Sequence, residues 1–342
     1  MTARRVAAAL AALVLAALAT GCGSTERVRE RDLVASGGSA TTPSSPRTGA
    51  SGSVRIAVVT HGQASSVYWA TVRNGIDAAA RETGVVVRYR SPDVFSVRRM
   101  SELIDEAVAT RPDALVVTLP DRSVEAAVRR AERAGIPVVS INSGDDLFRS
   151  AGVLAHVGQD EDAAGYEAGR RLIAAGVTHA VCLNLEHGNG ALDRRCAGFA
   201  RALRSGGATS RDLALNLDDQ ARAERLLAGV FRSTRIDGAL ALSSSGAEAA
   251  LAALRDDGRV GKVVLGSFDL SPAVLEAVRD GRVAFTIDQQ PYLQGYLPIV
   301  VLANYVRYGL VPEEGRLIRT GPHFVTAGDA EQALELSRRR IR

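Results

Sequence analysis

Residues 263–295 read VVLGSFDLSPAVLEAVRDGRVAFTIDQQPYLQG and contain two predicted strands that are one helix apart. The apolar, β-branched runs 262–267 and 283–287 predict the strands, and helically spaced apolar residues between them predict the helix. Polar side chains follow both strands, with Asp269 after the first and Gln289 after the second. Because open α/β sheets bind ligands at the carboxyl ends of their strands, we expect both side chains to line one site.

The same alternation of short apolar strands and amphipathic helices extends outward from this stretch to residue 54. Predicted strands cover residues 54–60, 85–90, 114–118, 137–141, 153–157, 180–185, 212–216, 238–242, 262–267 and 283–287. Predicted helices cover residues 68–83, 97–109, 123–134, 160–175, 191–205, 219–231, 246–255 and 271–279. This alternation predicts parallel sheets, and continuous apolar strands such as ALVVT predict that both sheet faces are covered. So many strands exceed the needs of one ordinary domain. We therefore predict two similar α/β lobes of about five strands each, with a cleft between them.

The amino-terminal residues 1–22 have the pattern of an export signal. Arg4 and Arg5 precede an unbroken apolar run that is shorter than the ~20 residues needed to span a bilayer. The run leads into Gly21 and Cys22, which resemble a bacterial lipobox, although Ala19 stands where Leu is usual. We predict that Cys22 is lipidated and becomes the mature amino terminus; an uncleaved signal anchor is the alternative. Either reading places the rest of the chain outside the cytoplasm, anchored to the outer face of the cell membrane.

Residues 23–52 are rich in Gly, Ser, Thr, Pro and charged residues and have no hydrophobic period. This composition cannot bury enough apolar surface to offset its ordering entropy, so it predicts a flexible linker. The whole chain of 342 residues is 46% hydrophobic but only 4% aromatic, which is typical of α/β packing rich in Ala, Val and Leu. Its formal charge of +4 is too weak, and its Arg residues too scattered, to indicate nucleic-acid binding.

Five motifs carry a resemblance to a known family. They are RPDALVVTLPD, AERAGIPVVSINS, HVGQDEDAAGYEAG, RRCAGF and GSFDLSPAVLEAVRDGRVAFTIDQQPYLQGY. Their order resembles that of the type I periplasmic sugar-binding proteins, the ribose/galactose-like substrate-binding components of ABC transporters. The resemblance extends over about residues 54–326, which is nearly the whole mature chain.

The resemblance implies two Rossmann-like lobes with parallel sheets, joined by a three-segment hinge that closes on a monosaccharide-sized ligand. The chain is expected to cross between the lobes near residues 156–159, 288–291 and 317–320. The expected amino-terminal lobe covers residues 53–158 and 290–318, and the carboxy-terminal lobe covers residues 159–289 and 319–342.

Four candidate ligand residues fall in the amino-terminal lobe. His61 follows the first strand, although a lone loop His is as often solvated. Tyr68 and Trp69 stand where the family has aromatic residues that stack on the sugar; we expect one to face the cleft, with Trp69 favoured, and core filling is the alternative. Asn142 ends the fourth strand where many members have an Asp-Arg pair; here Ser143 follows it. An amide still serves hydroxyls, but the change argues against a plain ribose site, and a turn role is the alternative.

The other candidates belong to the crossings and the carboxy-terminal lobe. Gln159 lies at the first crossing, beside Asp160, which we expect to be a helix cap. Arg195 matches the ligand-binding Arg of the family, with a surface ion pair as the alternative. Ser243 follows a strand and is a ligand residue or a helix cap. Asp269 and Gln289 are the strongest candidates, because a carboxylate in a sugar site accepts hydroxyl hydrogen bonds and Gln289 lies on a crossing.

The two remaining cysteines, Cys182 and Cys196, are either a disulfide or two buried thiols, since a sequence does not give the distance between their Cα atoms. The five His residues are too scattered for metal-ligand spacing. The motifs GxSxG, HExxH, Walker A and a strand-linked GxGxxG are absent from the sequence. The sequence therefore predicts no catalytic residue, no metal, no cofactor and no enzyme activity.

These observations together predict a monomeric, lipid-anchored solute-binding protein that delivers a sugar or polyol to an ABC permease by hinge closure. A receptor module for a membrane sensor kinase or chemoreceptor is the alternative, and a nucleoside or autoinducer-like furanosyl compound is the alternative ligand. The terminal sequence SRRRIR is read as a solvated helix end, with anionic lipid headgroups as an alternative contact.

Overall fold

The computed structural model describes residues 53–62, 66–217, 219–233, 235–312 and 315–342, without the side chains of Gln220 and Ser233. The predicted export signal, the predicted lipidation site at Cys22 and the predicted linker lie outside the described residues. Within the described residues, the helices are too short or too polar to cross a bilayer.

The described residues form twelve β-strands and eleven α-helices. The strands are β1 Arg55–Val59, β2 Val86–Arg90, β3 Ala114–Val117, β4 Val138–Ile141, β5 Ala155–Gly158, β6 His179–Asn184, β7 Thr209–Ala214, β8 Gly238–Ala241, β9 Val264–Phe268, β10 Phe285–Asp288, β11 Arg316–Arg319 and β12 His323–Val325. The helices are α1 Val67–Thr83, α2 Val97–Ala109, α3 Glu125–Arg133, α4 Phe148–Ala151, α5 Glu161–Ala174, α6 Gly190–Ser205, α7 Gln220–Ser233, α8 Ser244–Asp256, α9 Pro272–Arg279, α10 Pro291–Tyr308 and α11 Ala330–Arg338.

The strands form two sheets of six, one in each lobe. The order is β11-β5-β4-β3-β1-β2 in the first sheet and β12-β10-β9-β8-β6-β7 in the second. Central strands such as β3 and β8 are buried along their whole length, as expected for sheets with both faces covered. The prediction of two α/β lobes is confirmed, and the sheets are mostly parallel. Each sheet contains one strand more than predicted, because β11 and β12 come from a carboxy-terminal stretch that has no long apolar run.

The prediction of wholly parallel sheets is wrong for β12, which runs antiparallel to β10. The other strands of both sheets end at the interlobe cleft, and β11 also ends there because it is parallel to β5. The chain then crosses directly to the second lobe and starts β12 only four residues later, at His323. A strand that enters its sheet at the cleft edge must run away from the cleft, so it opposes the parallel strands.

Each lobe contains a pair of helices whose backbones touch at glycines. A Cβ atom on Gly75 of α1 would lie 2.0 Å from the carbonyl oxygen of Tyr292 on α10, and one on Gly295 would lie 1.9 Å from that of Val72. The same contact joins α5 and α6 in the second lobe, where a Cβ on Gly165 would lie 2.0 Å from the carbonyl oxygen of Arg195. Glycine is therefore required at these positions by close approach, and the second contact fixes the helix that carries Arg195.

Gly295→Ala is expected to lower the free energy of unfolding by about 1–3 kcal/mol, because the added methyl group must separate α1 from α10. The matched control is Gly229→Ala in α7, where an added Cβ meets no atom within 4 Å and helix propensity favours Ala by up to ~1 kcal/mol. Urea denaturation of both variants measures the difference. Equal stabilities of the two variants would contradict the close contact at Gly295.

Other local features also differ from the sequence predictions. Residues 291–308 received no helix prediction, because α10 is buried on more than one side and contains Pro298, which blurs the helical period. Strand β7 lies at Thr209–Ala214 rather than at 212–216, because this exposed edge strand has no buried apolar run to mark it. The solvated end predicted for SRRRIR is wrong for Arg342, whose Nε lies 2.5 Å from Oδ2 of the buried Asp288 at a lobe crossing.

A candidate ligand site in the interlobe cleft

A cavity of about 90 Å³ lies between the carboxyl ends of the two sheets. Eight of the nine predicted ligand residues line it: His61, Tyr68, Trp69, Asn142, Arg195, Ser243, Asp269 and Gln289. Gln159 does not line it. Among residues that were not predicted, Glu186 contributes the other carboxylate of the wall. A cavity of this size favours a ligand with a single ring over an oligosaccharide.

Asp269 lies at the carboxyl end of β9 and is held by its neighbour on the hinge. Its Oδ1 accepts a hydrogen bond of 2.5 Å from Nε2 of Gln289, and its side chain lines the cavity with intermediate exposure. Burial raises the pKa of the Asp269 carboxyl to about 7, although Arg195 and the Gln289 amide act in the opposite direction. The cap of α9 is Ser271, whose Oγ accepts a hydrogen bond from the backbone N–H of Val274.

Left-handed backbone conformations occur at non-glycine residues around the cleft. The φ angle is +60° at Asn142, +67° at Asp269 and +54° at Gln290. Such conformations cost on the order of 1–2 kcal/mol for a residue with a Cβ atom and cluster at functional sites. Here they occur directly after β4 and β9 and two residues after β10, where the chain turns at the strand ends.

Arg195 is the cation of the cavity wall and is almost fully buried. Its Nε and Nη2 contact Oε2 and Oε1 of Glu161 at 2.5 and 2.9 Å, and Nη2 also donates to Oε1 of Gln289 at 2.8 Å. The guanidinium lies 4.4 Å from the centre of the Phe268 ring. Burial disfavours the charged guanidinium, but Glu161 outweighs burial and raises the Arg195 pKa above its usual value. The surface ion pair considered for Arg195 is wrong, because the pair is buried.

Gln159, which was predicted to bind ligand, does not line the cavity in this structure. Its side chain instead contacts the first residue of α5, because its Nε2 donates to Oε2 of Glu161 at 2.8 Å. Asp160 caps the same helix, with Oδ1 accepting from the backbone of Ala163 at 2.9 Å, as predicted. Gln159 therefore supports the Glu161–Arg195 pair from behind the cavity wall.

A chain of buried and part-buried hydrogen bonds connects the amino-terminal lobe to the hinge. Asn142 donates from Nδ2 to the Tyr68 hydroxyl at 2.8 Å, and the hydroxyl donates to Oε1 of Gln294 at 2.6 Å. Nε2 of Gln294 then contacts the backbone oxygen of Gln289 and the hydroxyl of Thr320, both at 3.1 Å. Gln289 and Thr320 belong to two different lobe crossings. The Tyr68 hydroxyl therefore links the cavity to the hinge.

His61 and the two aromatic residues form one wall of the cavity. The Trp69 ring packs edge-on against His61 and Tyr68, with ring centres 5.1 and 5.2 Å apart, and it lies directly over Gly62. Both predicted aromatic residues therefore line the cavity. His61 is buried rather than solvated, and burial lowers its pKa even though Glu186 acts to raise it.

Direct contacts also join the lobes beside the cavity. The backbone of Gly190 donates to the Pro120 oxygen at 2.8 Å, and Ser143 donates to Oδ1 of Asn189 at 3.2 Å. Arg194 pairs with Asp145 at 3.0 Å and also with the neighbouring Asp146. The structure is therefore a closed arrangement in which the lobes touch each other as well as the cavity.

Cys182 and Cys196 are bonded to each other, with an S–S distance of 2.02 Å and a Cα–Cα distance of 5.8 Å. The bond closes a segment that carries Glu186, Asn189 and Arg195, so it anchors this part of the wall to β6. Asp212 lies near both sulfurs, but sulfurs in a disulfide do not offer thiolates to a metal. Ser243 caps α8, with its Oγ accepting from the Gly246 backbone, and the residue also lines the cavity.

The comparison with protein families agrees with this geometry. The family model of the periplasmic binding protein domain matches residues 56–309 of the chain. The chain belongs to the periplasmic binding protein family. This membership confirms the resemblance drawn from the sequence motifs, and the family is one of substrate-binding proteins.

Two solved structures resemble this periplasmic binding protein along most of its length. The crystal structure of a carbohydrate transporter from Acidothermus cellulolyticus 11B, in complex with myo-inositol, is 30% identical, and the match covers 85% of this chain and all of that chain with a TM-score of 0.80. A chain of the XylFII–LytSN complex is 22% identical, with coverage of 81% and 99% and a TM-score of 0.72. At 22% identity, the second likeness shows a shared fold and carries no further conclusion.

One curated relative matches a shorter segment. The xylose/arabinose-binding protein XylF of Sulfolobus acidocaldarius is 38% identical over 78 residues, which is 23% of this chain. The match spans only about a fifth, 19%, of that relative.

Sequence reasoning did not assign four residues that line the cavity or contact residues lining it, namely Glu161, Glu186, Asn189 and Gln294. Glu161 looks like an ordinary acidic residue in a first helical turn, where Glu is favoured by the helix dipole. Gln294 lies within PYLQGYLPIVVLA. Its polar side chain in this mainly apolar stretch is the one signal in the sequence that marks it. Asn189 lies in a glycine-rich turn, where Asn is common for conformational reasons.

Proposed function

We propose that this protein binds a neutral monosaccharide or cyclitol in the cleft and presents it to an ABC permease. The observation that carries the proposal is the cluster of Asp269, Gln289 and Arg195, which places a carboxylate, an amide and a guanidinium around one small cavity. Vicinal hydroxyl groups both donate and accept, so they match this mixed set. The rings of Tyr68 and Trp69 supply the apolar wall that suits the C–H face of a sugar ring.

Ligand binding would favour closure because the polar groups come from different lobes. Asn142 and the aromatic residues belong to the amino-terminal lobe, Arg195 and Asp269 to the carboxy-terminal lobe, and Gln289 to a crossing. A ligand held by one lobe completes its contacts only when the other lobe meets it, so it shifts the population towards the closed state. The expected lobe boundaries at residues 158–159, 289–290 and 318–319 belong to this proposal.

A cyclitol is the ligand class that we favour first. The Acidothermus protein was solved with myo-inositol, and this chain has Asn142 and Ser143 in place of the Asp-Arg pair expected for a plain ribose site. An amide can serve a ring of hydroxyl groups without a charged partner. The protein would act as a monomer, without a cofactor and without catalysis.

A thermal-shift screen of the purified protein against myo-inositol, pentoses, hexoses and nucleosides tests the ligand class. A neutral single-ring polyol at about a hundred times its Kd should raise Tm by about 3–8 °C. Stabilisation by nucleosides alone would replace the polyol assignment. Complementation of a deletion strain separates transport from sensing. If the protein binds polyols but restores signalling through a membrane kinase instead of sugar uptake, it is a sensor.

The predicted lipid anchor is part of the same proposal. Cys22→Ala removes the thiol that would carry the lipid, so the protein is expected to move from the membrane fraction to the soluble extracytoplasmic fraction. Fractionation followed by immunoblotting measures this, with Ala19→Leu as a control that improves the lipobox and retains the anchor. Retention of the Cys22→Ala protein in the membrane would favour the uncleaved signal anchor instead.

A further inference from the structure

We propose that Glu161, which does not line the cavity, makes the cleft selective for uncharged ligands by cancelling the charge of Arg195. This inference rests on the proposed polyol-binding function and adds to it a residue that determines specificity. Glu161 is the first residue of α5, follows the first lobe crossing and is fully buried. It acts on the ligand only through Arg195, so it is a positioning residue.

The geometry of the pair leaves little of the guanidinium charge uncompensated. Both oxygens of Glu161 contact Arg195, at 2.5 and 2.9 Å, and the two side chains are only 0% and 2% exposed. Gln159 holds Oε2 of Glu161 in place from the other side at 2.8 Å. In a site that excludes water, such a bidentate contact is strong and directional.

The same contacts orient the donors that a ligand would meet. Nε and Nη2 of Arg195 are used by Glu161 and Gln289, and the Phe268 ring lies 4.4 Å from the guanidinium carbon. Within the described residues, Nη1 of Arg195 makes no hydrogen bond, so it is the donor left for a ligand hydroxyl. Arg195 is therefore presented as a fixed hydrogen-bond donor.

The charges that line the cavity make an acidic ligand unfavourable. Besides Arg195, the charged residues of the wall are the carboxylates of Asp269 and Glu186. Burial keeps His61 neutral by lowering its pKa. With Arg195 compensated, an acidic sugar would bring its carboxylate next to other carboxylates without a free cation, and discrimination by an unpaired charge is strong.

The test compares matched neutral and acidic probes by isothermal titration calorimetry at pH 8. The probes are D-glucose and D-glucuronate, which share a ring and differ by one carboxylate, with myo-inositol as a second neutral probe. We expect the wild-type protein to bind the tighter neutral probe at least about 100-fold more tightly than D-glucuronate. In Glu161→Gln this ratio should fall at least about tenfold, because the guanidinium charge becomes available to the acid.

The control is Glu167→Gln, the same change at a partly exposed position of α5 where Glu167 pairs with Arg170 and Arg171. This variant should keep the wild-type ratio. An unchanged ratio in a folded Glu161→Gln protein that still binds the neutral probe would overturn the proposed role of Glu161. It would leave the proposed polyol-binding function standing. Failure of the wild-type protein to bind any neutral polyol in the screen would overturn the proposed function, and this inference with it.

A second variant leaves the buried pair intact, in case Glu161→Gln does not fold. Asp269→Asn removes the carboxylate of the wall but keeps Glu161 on Arg195. If Glu161 cancels the charge, D-glucuronate should bind this variant no more tightly than the neutral probe binds the same variant. Tighter binding of D-glucuronate than of the neutral probe by Asp269→Asn would show that Arg195 attracts anions despite Glu161, and would overturn the proposal.

Discussion

Asp269→Asn is expected to weaken the binding of a neutral polyol by about 30- to 100-fold at pH 8, which corresponds to ~2–3 kcal/mol. A carboxylate accepts hydrogen bonds on both oxygens, whereas an amide accepts on one only. Oδ1 of Asp269 already accepts from Gln289, so the substitution removes the acceptor that is left for the ligand. Calorimetric titration measures the change. Asp280→Asn on the surface, where Asp280 pairs with Arg279 and Arg282, is the matched control and should bind normally.

The same substitution should stabilise the ligand-free protein above neutral pH. Burial raises the pKa of Asp269 from 3.8 to about 7, so its contribution to stability is fully present below 3.8 and is lost as the pH rises through about 7. At pH 8 the wild-type protein therefore carries an ionised carboxylate in a position that disfavours its charge. The amide should raise the free energy of unfolding by about 1–3 kcal/mol at pH 8, with little difference near pH 4.

Ligand binding should show the same titration. Hydroxyl donors favour the ionised carboxylate, so the wild-type Kd should fall about tenfold between pH 6 and pH 8 as Asp269 loses its proton. The Asp269→Asn protein should show no such change over this range. A wild-type Kd that is flat across the range, or an Asn variant that binds as tightly as wild type, would remove Asp269 from the site.

Arg195→Met should destabilise the protein by about 3–5 kcal/mol and abolish polyol binding. The variant leaves Glu161 buried without its cation, and an uncompensated buried charge is more costly than the loss of the pair itself. Urea denaturation measures the stability. The control is Arg201→Met, which breaks an exposed bidentate pair with Asp162 on the same helices and should cost less than about 1 kcal/mol.

The double variant Glu161→Met with Arg195→Met separates stability from binding. Replacement of both charges by apolar side chains removes the unpaired carboxylate, so most of the lost stability should return. Binding should not return, because the guanidinium donors are absent. A single Arg195→Met variant as stable as the double variant would contradict the burial of this pair.

Much of the fold could be predicted because a buried parallel strand can be recognised from its own residues, without knowledge of its tertiary contacts. Continuous apolar runs such as the one at β3 mark strands that are covered on both faces, and helix α2 was predicted with its observed bounds, Val97–Ala109. The segments that were missed depend on tertiary contacts. Strand β12 is only three residues long, and its position follows from the lobe crossing between β11 and β12. Helix α10 is apolar on several sides, so its sequence does not show a clear helical period.

The candidate site could be predicted only where backbone topology places residues together. Asp269 and Gln289 follow neighbouring strands β9 and β10, so their meeting follows from a parallel sheet. The pairing of Glu161 with Arg195 joins the first turn of one helix to a second helix 34 residues away and depends on the glycine contact between α5 and α6. Gln159 was assigned to the ligand because topology gives the position of a backbone but not the direction of a side chain.

Calorimetric titration of the purified wild-type protein with myo-inositol, D-ribose, D-xylose and D-glucose at pH 8 tests the central claim that the closed cleft binds one neutral polyol. We predict binding of at least one of these at a stoichiometry of one per chain, with a Kd of about 10 µM or tighter, equivalent to ~7 kcal/mol. The absence of binding heat for all four at millimolar concentration, with the protein folded, would contradict the account.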